Sequence, residues 1–184
     1  GLMVAHDNAL SKQILSYHRV RVPEVAVLPM GRKLRRPRRL EFPLLVKSLT
    51  EEGSVGISQA SLVNDDAQLA ERADFIHRQL RTDAIAEQFI AGRELYVGVL
   101  GNLRLETLPT WELFFDKMPP EVPFIATSKV KWDLDYQKKR GIRYAKADVL
   151  PEELQARIPK LCKRAYRHLH LTGYARMDLR LTEE

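Results

Sequence analysis

The sequence predicts an α+β fold in which antiparallel strands are interspersed with helices. Apolar residues repeat at helical spacing around Ile14, from Leu69 to Leu80 and from Leu154 to Leu169. Strict two-residue alternation runs from Tyr174 to Leu181, and Gly101-Asn102 is a hairpin signal between two strand-like runs. No βαβ repeat orders these pieces, so the class is α+β.

Asp7 reads as the cap of a first helix carrying Leu10, Ile14 and Leu15 on one face and stopping near His18. Pro23 opens a strand at 24–28, and Leu44-Leu45-Val46 forms a short buried strand that ends at Lys47. Asn64-Asp65-Asp66 caps the next helix, where Leu69, Ala73, Ile76 and Leu80 share a face. Strands follow at 84–90 and 93–100, with 103–108 returning antiparallel. From Phe114 to Ala147 no periodicity is sustained, which predicts a long connection with a function of its own. The last helix contains Pro159, and an interior proline costs about 3 kcal/mol, so a kink or a late start is expected there. On the final strand Ala175, Met177, Leu179 and Leu181 face one side while Tyr174, Arg176, Asp178 and Arg180 face the other.

A length of 184 residues suits one domain or two small lobes sharing a cleft, and 45% hydrophobic with 29% charged residues is an ordinary globular composition. No apolar stretch approaches the length of a membrane span and no leader pattern opens the chain, so the expectation is a cytoplasmic protein without a membrane partner. The single cysteine, Cys162, permits no internal disulfide and reads as core. The excess of 30 basic over 24 acidic residues is accounted for by one loop, containing Arg32, Lys33, Arg35, Arg36, Arg38 and Arg39. No aromatic residues interleave those charges, so a solvated connector is favoured over a nucleic-acid surface.

The chemistry-bearing residues fall in a definite order. Lys47 stands at the end of an apolar strand, where its stem packs while its ammonium meets an anion. Alone it would read as a surface lysine. Gly53-Ser54-Val55-Gly56 comes next, a turn whose glycines let amides approach a phosphate and whose serine adds a hydroxyl donor. Glu87 and Glu94 bracket an extended segment, Gln88-Phe89-Ile90, able to read a base edge, with a carboxylate next for a ribose. Arg176 and Asp178 share a strand face about 7 Å apart, suited either to a plain ion pair or to a phosphoryl group and a divalent cation. Cations, bare amides and acids in this sequence point to a nucleoside triphosphate. There is no Walker A motif, no Cys/His cluster for zinc and no Gly-x-Ser-x-Gly turn, and His168 and His170 are expected to complement a helix dipole.

The series Phe42-Pro43 with Val46-Lys47, Gly53 to Ile57, Glu87 with Gly92-Arg93-Glu94, and Ala175-Arg176-Met177-Asp178 resembles the ATP-grasp superfamily, in particular D-alanine–D-alanine ligases and their ligase-like cousins. The similarity runs from His6-Asp7 to Leu181. It implies a nucleotide cleft between an N-terminal lobe, residues 1–88, and a C-terminal lobe, residues 89–184. It also implies a Mg²⁺- and ATP-dependent ligase that joins a small carboxylate to an amine through an acylphosphate, and a homodimer. By the same resemblance Lys47 holds α- and β-phosphates, while Gly53, Ser54, Val55 and Gly56 cover the outer ones. Glu87, Gln88, Phe89 and Ile90 surround the adenine, and Glu94 takes the ribose. Lys131 and Arg176 serve the transferred phosphoryl group, and Asp178 the metal. Asn8 stands where the family carries a lysine, with Lys12 one helical turn on, and the family's metal-binding Glu-x-Asn falls beyond Glu184. A scaffold that binds nucleotide without chemistry is therefore the alternative.

Overall fold

The structure, a computed structural model, describes residues 1–51, 53–147 and 149–183; Glu52 of the glycine-turn segment, Asp148 and Glu184 lie outside the described residues. Two antiparallel sheets organise the chain. In the first, β1 (Val25–Leu28), β2 (Leu44–Ser48), β3 (Leu62–Val63) and β4 (Ala84–Gln88) lie in the order β1-β4-β2-β3. Alternation gives this sheet two distinct faces. Leu44, Val46, Ala84 and Ala86 join Leu69, Ala73 and Ile76 of α3 (Asp66–Gln79) in one core. The opposite face of the same strands carries Lys47 and Glu87, under α2 (Asn8–Tyr17).

The second sheet is centred on β5 (Arg93–Leu100), which pairs with β6 (Glu106–Thr107), β7 (Trp111–Phe115) and β9 (Tyr174–Leu181); β8 (Ile142–Lys146) pairs with β7. Leu95, Val97 and Val99 pack with Ala175, Met177, Leu179 and Leu181 against Ile158, Cys162 and Tyr166 of α6 (Glu152–His168). The register then fixes the other face. Glu94 lies opposite Arg180, Tyr96 opposite Asp178, and Gly98 opposite Arg176.

Several elements differ from the sequence reading. A short helix, α1 (Leu2–His6), precedes Asp7, whose side chain caps α2 as expected by accepting from the Ala9 and Leu10 amides. The stretch 114–147 is not a structureless connection, because it holds the end of β7, α4 (Ser128–Trp132), α5 (Leu134–Arg140) and β8. Helices this short never complete the repeat on which periodicity rests. The last helix starts at Glu152, well ahead of Pro159, because burial of Ile158, Cys162, Ala165 and Tyr166 outweighs the lost backbone hydrogen bond. His168 lies in the last turn of α6, as expected. It stacks on His18 with ring centroids 3.7 Å apart, and burial and neighbouring positive charges push its pKa down. Cys162 is core as expected, and burial pushes its thiol up to about 12. In the basic loop Arg36 pairs with Asp66 at 2.8 Å and Arg39 with Glu24 at 3.0 Å, tying the connector down on acids of its own chain.

Leu69 is wholly buried between α3 and the first sheet. Leu69→Ala is expected to cost about 2–5 kcal/mol in urea unfolding, whereas the same change at exposed Leu103 is expected to stay within about 0.5 kcal/mol.

Candidate functional site

On the upper face of the first sheet, Glu87 Oε1 forms ion pairs with two ammonium groups: Lys12 Nζ from α2 at 2.8 Å and Lys47 Nζ from β2 at 3.1 Å. Lys12, one helical turn beyond Asn8, thus brings its charge to Glu87, while Asn8 itself anchors the helix by donating from Nδ2 to the Leu49 carbonyl at 2.9 Å. Burial pushes the Glu87 carboxyl up, but Lys47 and Lys12 together outweigh it and hold it below its ordinary value. Burial also lowers the Lys12 ammonium, against the pull of Glu87 and with the push of Lys47. Glu87 is therefore held between two lysines.

Glycine-turn geometry is set by its backbone. Gly53 at φ +66°, Ser54 at φ +64° and Gly56 at φ +69° all occupy the left-handed region, which curls successive amides to one side. The turn is clamped onto the segment before and within α4. Ser54 Oγ donates to the Ala126 carbonyl at 2.6 Å, Ser128 Oγ donates to the Ser54 carbonyl, and Trp132 Nε1 donates to the Gly53 carbonyl at 3.0 Å. The Ser54 hydroxyl donates into this clamp. Val55 stands exposed at the tip.

On the second sheet, Glu94 is buried and takes two donors. Tyr96 Oη donates to Oε1 at 2.6 Å and Arg180 Nη2 to Oε2 at 2.8 Å. Burial, and then that carboxylate, push the Tyr96 phenol far above its ordinary value, so it stays a donor at any working pH. A carboxylate has about four acceptor positions, which leaves Glu94 capacity for further hydroxyl donors. Arg176 clasps Asp178 through Nε at 2.7 Å and Nη2 at 3.1 Å, with its plane 4.8 Å over the Tyr96 ring. Asp178 raises the Arg176 pKa through that bond.

Lys131, on α4, draws the halves together. Burial lowers its ammonium below the ordinary value, Asp178 opposes, and Arg176, Glu94 and Lys47 all act on it across the remaining space. Charges at these positions interact only over short range. Lys131 is thus within electrostatic reach of Lys47 on the first sheet and of Asp178, Arg176 and Glu94 on the second. At the end of β4 the Gln88 amide donates to the Glu24 carbonyl at 2.8 Å and the Phe89 amide to the Pro43 carbonyl at 3.1 Å. Among the described residues nothing accepts from the Ile90 amide, the one N–H of that segment still available for a base edge. Sequence reasoning missed Arg180, Tyr96 and Tyr144. Alternation of 174–181 put Arg180 on the right face, but nothing in the sequence pairs it with Glu94.

This arrangement is that of an ATP-grasp fold. A crystal structure of D-alanine–D-alanine ligase from Bacillus anthracis complexed with ATP superposes with a TM-score of 0.73 at 22% identity, covering 98% of this chain and 52% of that one. The profile described as D-ala D-ala ligase C-terminus matches residues 15–184, and the chain belongs to that family. It is 32% identical over 178 residues to a D-alanine–D-alanine ligase of Bordetella petrii, covering 95% of this chain and 50% of the relative. It is 28% identical over 185 residues to an uncharacterized protein, y4sG, of Sinorhizobium fredii, covering 98% of this chain and 50% of the relative. The chain thus spans about half the length of the curated relatives it matches.

The Glu87 carboxylate stabilises the fold only while ionised. Its pKa is depressed, so the contribution is complete above the ordinary carboxylate range near pH 4.3 and is lost as pH falls through the folded value. Glu87→Gln leaves two lysines facing each other without a counter-charge and is expected to cost about 3 kcal/mol at pH 7. That deficit should shrink when urea unfolding of both proteins is repeated near pH 3; a constant deficit would contradict the ion-pair assignment.

Proposed function

We propose that this chain carries the ATP-binding and phosphoryl-transfer part of a carboxylate–amine ligase. What supports it is the family match over residues 15–184 together with Lys131, whose ammonium is influenced by Lys47 of one sheet and by Asp178, Arg176 and Glu94 of the other. Cations from two sides of a half-buried crevice suit a triphosphate, whose charge must be neutralised where water is scarce. On this reading residues 1–88 and 89–184 act as two lobes closing on the nucleotide. Lys47, with Lys12 held beside it through Glu87, meets the inner phosphates. Amides of the Gly53 to Gly56 turn cover the outer ones. The Ile90 N–H and the backbone of Gln88 and Phe89 read the adenine, and Glu94 accepts from the ribose.

The same cations account for the reaction. A carboxylate oxygen of the first substrate forms a bond to the γ-phosphorus as the bond to the β-phosphate bridge oxygen breaks, releasing ADP. An amine then bonds to the carbonyl carbon, phosphate departs with the acyl oxygen's electron pair, and the amine proton passes to solvent. Arg176 and Lys131 stabilise the charge on the phosphoryl oxygens during transfer, a donor role typically worth about 10²–10³-fold in rate. Asp178 is the carboxylate that would hold Mg²⁺, whose chemistry there would be charge neutralisation at the phosphates.

One observation favours the scaffold alternative, in which nucleotide binds without chemistry. Among the described residues no three of His, Cys, Asp or Glu converge on a point, and Asp178 is held bidentately by Arg176. Mg-ATP is expected to raise the melting temperature of the protein, and Lys47→Ala or Lys131→Ala to weaken binding at least ten-fold by calorimetry. No stabilisation by Mg-ATP would overturn the reading. Stabilisation without ADP release in the presence of any carboxylate and amine would select the scaffold.

A further inference from the structure

The exposed face of the second sheet does not end at Arg176. Along β9 it steps from Arg180, paired with Glu94, through Asp178 and Arg176 to Tyr174, at about 7 Å per step. Beyond Arg176, on the side away from Glu94, lies an open groove of about 420 Å³. Tyr96, Trp111, Tyr144 and Tyr174 wall it, Leu108 closes one side, and Gly98 opposite Arg176 forms its floor. Tyr96 is core, but the other three rings stand out from it: Trp111 is 47% exposed, Tyr144 44% and Tyr174 82%. Gly98 keeps the floor open, since a Cβ there would stand 2.9 Å from the Leu108 Cδ1 atom. Arg176 is the one charged residue of the lining, and its Nη1 has no partner among the described residues.

We infer that this groove receives the side chain of the carboxylate substrate, and that the substrate class is an amino acid or peptide end bearing a large apolar or aromatic group. Its direction rests on the proposed nucleotide site, because phosphates clamped by Lys47, Lys131 and Arg176 put the accepting carboxylate on the groove side of Arg176. Charge complementarity anchors that carboxylate at Nη1, and the rings take the side chain attached to it. An apolar space of roughly 150 Å³ already accommodates a benzene ring, so a methyl side chain would leave most of the groove wet and its rings without contacts. Burying a ring there should therefore favour phenylalanine over alanine by more than the few-fold that one methylene gives.

Trp132 holds the glycine turn and is kept, so binding is read by calorimetry on the unsubstituted protein. Titrating it with racemic phenylalanine and racemic alanine, each with and without a non-hydrolysable ATP analogue and Mg²⁺, should show at least ten-fold tighter binding of phenylalanine. Gly98→Val fills the floor and should weaken phenylalanine at least ten-fold while leaving nucleotide affinity unchanged. Tyr174→Ala, at a position too exposed to disturb folding, should weaken it in the same direction. Equal or tighter binding of alanine, or phenylalanine affinity unmoved by both substitutions, overturns the inference even when the nucleotide binds. A protein that binds phenylalanine in the groove but never responds to nucleotide keeps the groove and overturns only the direction of catalysis drawn from it.

Discussion

A carboxylate withdrawn from water dictates much of this architecture. Glu87 lies on the central part of the first sheet, and an ionised group there is costly unless counter-charges accompany it. Lys47 arrives from the neighbouring strand and Lys12 from the helix above, so one acid ties α2 to β2 and β4. The lysines cannot both be satisfied by one oxygen's worth of charge. A pair of ammonium groups with a single counter-ion retains a net positive charge on that face of the sheet. The same constraint that makes the fold hold together makes that face attractive to anions.

Across the crevice the second sheet repeats the logic with the signs exchanged and the spacing made regular. Because β5 and β9 pair in register, each two-residue step carries a different chemistry: a buried acid with arginine, a phenol beside an aspartate, a glycine opposite an arginine, and then aromatic rings. The opposite face of the same strands is uniformly apolar against α6. Alternation thus writes a one-dimensional order of contacts onto a rigid surface, with positions set by backbone hydrogen bonds rather than by loops. On the proposed reading that order runs from sugar through phosphate to the group being activated.

Legibility from sequence divided along physical lines. Strands and helices with complete periods were readable, as was the cap at Asp7 and the two faces of Tyr174 to Leu181, because these depend on neighbours in the chain. The features that escaped are set by distant partners. Nothing local announces that Ser54 will donate to Ala126, that Arg180 will reach Glu94, or that Glu87 will be shared by two lysines. The segment carrying Lys131 looked irregular because α4 and α5 are too brief for a pattern, and their positions come from capping by Thr127 and Asp133 and from the clamp on the glycine turn. The aromatic groove was invisible for the same reason: its rings come from four strands far apart in sequence.

The central claim is that positive charge from both sheets converges on one chain of phosphates. Calorimetric titration of the protein with ATP, ADP, AMP and adenosine under identical Mg²⁺ and salt reads this directly. The account predicts affinity falling at each loss of phosphate, with the ATP value the most weakened by added salt. Equal affinities for ATP and adenosine, insensitive to salt, would contradict it.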